Sequence, residues 1–515
     1  MPAPRRRAIA GGAIIVAWLV GIGLLVHREY FRPQVERLAE AALRITPGAV
    51  YYAVMQGSRQ VGFASSTIDT ALASITVNDY FIADIPVGGK ARRATARTNV
   101  TLSRALRLKN FDLSLDTESA PVRAEARVDG DSVLVLRISS GADTGRTQRI
   151  PLNGPILLPT LVPLAIALGE KPSVGKTYTL PVFDPTTMAP KNVELDIRAE
   201  SLFVVNDSAV YDSASARWRG IQPDTLRAWQ VSAQTSGAFT GWIDEQGRIV
   251  ETTQLGFELR RLPYEVAFDN WRADSGHVVS ESQDILETTA IAANKRLDKR
   301  IDSLRVRLSN VDLSGFDIEG QRQHLAKNVL TIESIPDSLL RAKYLVTQQP
   351  PVDPSYIRAE PLVQSDDPYI RRLAFGLMGS TRDPRAVAER INTWVYRNIR
   401  DRITFGIPSA IEVFKTHAGD CNEHTQVYVA LARAVGLPAR VAAGLAYVDG
   451  KFYYHAWPEV YLRDWVPVDP TFGQFPADAA HLRFTVGGLG RQTELLRLMG
   501  NLKIDVLSTP SVTAR

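Results

Sequence analysis

A second cysteine is the most obvious absence. Cys421 is the single thiol in 515 residues, which excludes an intramolecular disulfide framework and a structural zinc site built on cysteines. Taken alone, such a thiol is most often a small buried hydrophobe. A basic surplus on the body of the chain is missing too. The formal charge of +5 invites a nucleic-acid partner, but Arg5, Arg6, Arg7, Arg28 and Arg32 less Glu29 put +4 of it within residues 1–33. The remainder, near +1, has too little excess charge for the basic face that nucleic-acid recognition needs. No acidic loop has calcium-binding spacing. The GEKPSVGKT stretch at 169–177 puts five residues between Gly169 and Gly175 where a phosphate loop has four, and a strand pattern follows it instead of a helix. No cofactor or metal is expected.

Long apolar runs are scarce, with one exception. Ala8–Val26 is nineteen residues without a charge, behind three arginines. At 1.5 Å per residue it spans about 28 Å, the thickness of a bilayer core. The following HREYFRP offers no small-x-small cleavage site, so an uncleaved anchor is favoured over a cleaved signal peptide. Arg5–Arg7 orient the amino terminus to the cytoplasm. The expectation is a single-pass protein of the cytoplasmic membrane with its bulk on the extracytoplasmic, periplasmic side. Ile156–Leu168 is also apolar but only thirteen residues long and broken by Pro159 and Pro163, so it reads as a buried or contact segment.

The whole reads as α+β in four parts: a cytoplasmic stub and transmembrane anchor at 1–33, an antiparallel β domain at 45–290, a connector with a short β segment at 291–358, and a C-terminal domain at 359–507 of helices packed on an antiparallel sheet. Alternating patterns such as VLVLRIS at 133–139, and two runs joined around Glu245-Gln246-Gly247, predict strands. They fit one half-open barrel or two smaller sheets. After residue 360 the period turns helical. Asp367-Pro368 and Asp383-Pro384 each start a helix with Asp as N-cap, and Ser409 with Glu412 fits a capping box.

Cys421 lies in HAGDCNEHTQVYVALARAVGLPARV. Val427, Tyr428, Leu431, Ala432 and Val435 fit a helix that Gly436 and Pro438 stop. Cys421 falls at the start of that helix, where the unpaired N–H groups favour a thiolate. A structural cysteine belongs on the apolar stripe instead. Two β runs flank Asp449-Gly450, a hairpin signal, with His455 on the second run and Asp469 at the end of a third. The spacings, 34 residues and then 14, allow a helix packed on adjacent strands to gather all three. His455 would then take the thiol proton and Asp469 would hold its tautomer. Trp394 reads as core, His424 as packing or capping, Trp457 and Tyr454 as walls of a cleft. Asp478 and His481, three apart, are a minor metal candidate.

The motifs WVYRNI (394–399), GDCNEH (419–424), ALARAVGLPARV (430–441), HAWPEVYL (455–462) and WVPVDPTFGQFPADAAH (465–481) resemble the transglutaminase-like superfamily, whose architecture is papain-like. The resemblance covers about a fifth of the chain. It implies Cys421 as nucleophile, His455 as base and Asp469 as orienting acid. The expected activity is thioester formation from a peptide or side-chain amide, resolved by water in a peptidase or amidase, or by an amine in a cross-linking enzyme. The partner is then a protein or peptide of the cell envelope. The alternative is a non-catalytic envelope scaffold carrying a transglutaminase-like domain.

Overall fold

The computed structural model describes residues 45–509 except 119–120, 142–144, 170, 185–188, 234–239, 255, 275–283, 299, 321, 405 and 408. The apolar run 8–26, and with it the expected anchor, lies outside the described residues. Among the described residues, no helix is long and apolar enough to cross a membrane.

Between Gly48 and Leu262 the alternating pattern becomes one antiparallel sheet of fourteen strands, so the two-sheet alternative is set aside. The Gly48–Gln56 strand joins the two halves, pairing with Arg59–Thr70 on one side and with Phe257–Leu262 on the other. Consecutive side chains face opposite ways. One face therefore gathers Ile75, Val77, Val100, Leu102, Phe111, Leu134 and Leu136. The apolar 156–168 stretch covers this face. Pro159–Leu161 is a 3-10 turn that continues into the helix Val162–Leu168, and Ile156, Leu158, Leu161 and Leu164 pack down onto the sheet. Pro163 sits in the helix's first turn, where it forfeits no hydrogen bond.

The C-terminal half is built of helices against a smaller antiparallel sheet. Asp367 caps Pro368–Met378 and Asp383 caps Pro384–Asn398, both through the side chain. The second of these helices buries Val387, Ala388, Ile391 and Val395. Against these helices lies Cys421–Ala434, its residues from Glu423 to Ala434 all buried. The sheet runs Ile291–Ala292, Lys451–Tyr461, Ala439–Val448, His481–Val486, with Trp465–Pro467 paired beside Lys451–Tyr461. The hairpin turns at Asp449 and Gly450, which both take positive φ.

The stretch read as a connector is itself part of these layers. Ile291–Ala292 pairs with the hairpin. Ser303–Ser309 pairs with Val329–Glu333 on one side and with Lys503–Ser508 near the chain's end on the other. Ser303–Ser309 alternates between buried residues (Leu304, Val306, Leu308) and exposed ones (Arg305, Arg307), as a half-buried strand does. Its pairing partner lies nearly two hundred residues away, and local pattern does not reveal that.

Candidate active site

Cys421 is the first residue of its helix, and Asp420 is the N-cap. The Asp420 carboxylate accepts from the backbone N–H of Asn422 at 2.9 Å, while Glu423 accepts from the backbone N–H of Asp420 at 3.0 Å. This reciprocal box is worth about 1 kcal/mol and sets the phase of the helix. The expected box at Ser409 and Glu412 does not form, because Ser409 makes no cap bond. Its hydroxyl accepts instead from the Gln364 amide at 3.0 Å.

The helix packs on the hairpin strand Lys451–Tyr461. The Cys421 sulfur accepts from the backbone N–H of Ala456, the residue after His455. Cys421 is partly exposed and borders the apolar cluster of Phe452, Ala456, Leu482 and Phe484. Burial pushes its thiol well above the usual range, and the neighbouring Asp420 charge adds to this. The Ala456 N–H acts the other way without reversing it. Burial and the Asp420 charge therefore oppose the thiolate that the helix terminus favours.

His455 lies on the same strand, in register with Gly444 on the neighbouring one. Its Nε2 is 2.7 Å from Asp469 Oδ2. Its ring stacks on Phe472, with centroids 4.7 Å apart and planes 4° from parallel. Trp457 also lies near the ring, with centroids 6.0 Å apart and planes 26° from parallel. The Phe472 stack and the Asp469 bond together restrict rotation of the imidazole.

Asp469 is fully buried and its carboxylate is saturated with donors. Oδ1 accepts from the backbone N–H groups of Thr471 and Phe472 at 2.7 and 2.9 Å. Oδ2 accepts from His455 and also from His481 Nε2, at 2.9 Å. Burial alone would raise this carboxyl, but the electrostatic interaction and hydrogen bond with His455, joined by those of His481, hold it far below the usual carboxylate range. On its other side, His481 Nδ1 meets Asp478 Oδ1 at 3.0 Å. Burial disfavours the His481 cation; hydrogen bonds to the two carboxylates outweigh that and raise its pKa.

Each sequence-selected residue now has a place. Cys421 meets the backbone beside His455; His455, Asp469 and His481 form one contiguous cluster with ligand atoms within 4.8 Å. Both Nε2 atoms address a single Asp469 oxygen at hydrogen-bond distances, so a metal ion there would have to displace two protons. His424 is structural, its Nδ1 2.7 Å from the Asp420 carbonyl and its Nε2 3.2 Å from that of Ile399. Trp394 packs beside Phe414 on the helical core, in keeping with its reading as core. Tyr454 donates to Gln492 at 2.8 Å, and Trp457 is fully buried.

Two further residues support the site. Arg322, from the presumed connector, donates to the backbone carbonyls of Ala477, Asp478 and His481 at 2.8–2.9 Å. Glu459, buried on the His455 strand, pairs with Arg440 and Arg483 at 2.6 and 3.0 Å. No sequence signal marked Arg322. Glu459 falls in HAWPEVYL, where alternation along the strand could have suggested an inward-facing acid in need of a partner.

Residues 371–470 match the model of the transglutaminase-like superfamily, and this part of the chain is a transglutaminase-like core domain. An uncharacterized protein of Haemophilus influenzae is 29% identical over 157 residues, which cover 25% of this chain and 41% of that protein. The chain thus matches less than half of that relative's length. The periplasmic domain of TgpA from Pseudomonas aeruginosa, solved with ethylmercury, is similar at 18% identity over 39% of this chain and 88% of that one, with a TM-score of 0.22. A beta-barrel-like protein from Brucella abortus aligns at 16% identity over 42% of this chain and 96% of that one, with a TM-score of 0.28.

Proposed function

We propose that this chain is a membrane-anchored, extracytoplasmic thiol enzyme in which Cys421 is the nucleophile, His455 the base and Asp469 the acid that orients it. The observation that carries the reading is the 2.7 Å contact between His455 Nε2 and Asp469 Oδ2 on a strand whose next residue, Ala456, donates to the Cys421 sulfur. With Nε2 engaged by Asp469, Nδ1 is the nitrogen that takes the thiol proton. The sulfur attacks the carbonyl carbon of a peptide or side-chain amide as that proton passes to His455. The C–N bond then breaks, the proton leaves on the amine, and a thioester remains on Cys421. Water or a second amine attacks the thioester, gives a proton to His455 and frees the sulfur, which regains its proton. The Cys421 backbone N–H, at the first position of its helix, is suited to hold the developing oxyanion.

Since burial and the Asp420 charge disfavour a free thiolate, the proton moves to His455 during attack. The test is labelling of the full-length chain in its membrane by a peptide-based thiol-reactive probe, read by mass spectrometry of the Cys421 peptide. Labelling faster than that of free cysteine, and lost in His455→Ala, supports the enzyme. Labelling no faster than free cysteine, together with rescue of a deletion strain by Cys421→Ala, instead favours the envelope scaffold.

A further inference from the structure

His481 is a buried histidine outside the proposed triad, and both of its ring nitrogens face carboxylates: Nε2 at 2.9 Å from Asp469 and Nδ1 at 3.0 Å from Asp478. A neutral imidazole has one N–H and one bare nitrogen, and the bare one would face a carboxylate lone pair. Two acidic partners therefore require two protons, and His481 is an imidazolium. Its ring centroid is 5.7 Å from that of His455, and the two share a single Asp469 oxygen.

We propose that His481 is a positioning residue for this site: its imidazolium, clamped between Asp469 and Asp478, fixes the carboxylate that orients His455 and opposes a second positive charge on His455 at rest, so that Cys421 waits as a thiol.

This inference rests on the triad reading above. A carboxylate held by a single histidine would draw a proton onto it and favour a preformed thiolate–imidazolium pair. Here the same oxygen is already half-neutralised by a resident cation. Like charges at this separation in a buried site interact strongly, and the shared Asp469 oxygen couples the His481 charge directly to His455. The balance therefore moves toward thiol and neutral imidazole.

The surroundings agree. His481 faces Asp469 from the loop, His455 and Trp457 from the hairpin strand, and Phe472 from the turn after Asp469. Asp478 precedes it in its own segment, and Arg322 from the connector holds its carbonyl and lies beside Asp478. Asp420 and Glu423 flank Cys421 at the helix start. Arg322 thus balances part of the Asp478 charge, and the His481 cation stays directed at Asp469.

The test is the pH dependence of Cys421 alkylation by iodoacetamide in the full-length chain, with the modified peptide quantified by mass spectrometry. His481→Gln keeps a hydrogen-bond donor but removes the charge, so the midpoint of the alkylation curve should fall by about one pH unit. Asp478→Asn keeps the imidazole and weakens its charge, so the midpoint should move the same way by less; this variant also serves if His481→Gln fails to fold. Glu423 titrates in every variant, so the difference between curves is what counts. A midpoint that stays put or rises in both variants, while His455→Ala still abolishes fast labelling, overturns the role of His481 and leaves the triad standing. If His455→Ala has no effect either, the triad reading fails and this one fails with it.

Discussion

Arg322 Nη2 donates to the backbone carbonyl of His481 at 2.8 Å, so a residue from the segment before the helical core holds the strand that closes the site. The same guanidinium holds the carbonyls of Ala477 and Asp478. All three acceptors belong to the loop that leads from Asp469 to His481.

Replacing Arg322 with Met should therefore cost about 3 kcal/mol, because it leaves three inward carbonyls without their charged donor. Urea unfolding of the variant measures this. Loosening of the loop should also slow Cys421 labelling at temperatures where the chain remains folded.

Asp469→Asn tests orientation apart from packing. The amide is nearly isosteric, but its NH₂ group opposes the N–H of His455 or His481 and favours the wrong tautomer. The rate of Cys421 acylation by a peptidyl probe should fall by roughly 10⁴-fold, as expected for loss of the orienting acid in such triads. A loss below tenfold would mean that Asp469 supports the fold and not the chemistry.

Glu423 carries a pH signature. Burial and the nearby Asp420 carboxylate push its carboxyl up to about 8. Between its ordinary value of 4.5 and about 8, the folded chain keeps a proton that the unfolded chain has released. Its contribution to stability is thus complete below about 4.5 and lost as pH rises through about 8. Glu423→Gln keeps a cap acceptor without the charge. The melting temperature of the variant should decline less than that of the parent chain between about pH 5 and pH 8.

Gly444 stands opposite His455 in the hairpin and beside Arg483 on the next strand. A Cβ there would lie 1.9 Å from the Leu482 carbonyl oxygen, a backbone atom that cannot swing away. Gly444→Ala should cost about 2–3 kcal/mol through overpacking. It should also part the strands that carry His455 and His481, so the urea unfolding midpoint and the labelling rate should fall together.

Much of the site could be read along the chain because its parts obey local rules. Asp367, Asp383 and Gly436 mark helix ends, Asp449-Gly450 marks the hairpin, and Cys421 precedes an apolar stripe of period 3.6. The Asp420–Glu423 box was equally legible, an acid three residues before a glutamate, yet the similar pair Ser409–Glu412 forms none. Which of them closes depends on whether a distant side chain such as Gln364 has already claimed the hydroxyl.

By itself the sequence determined the order of Cys421, His455 and Asp469, the elements that bear them, and the alternation that makes residues 48–262 a sheet, because propensity, capping and periodicity act within a few residues. Tertiary structure decided the rest. It joined fourteen strands into one sheet, drew Ser303–Ser309 and Arg322 into the C-terminal layers, and placed His481 on the far side of the Asp469 carboxylate. It also set Cys421 against Phe452, Ala456 and Leu482, residues remote in sequence, and the resulting burial raises the thiol's pKa.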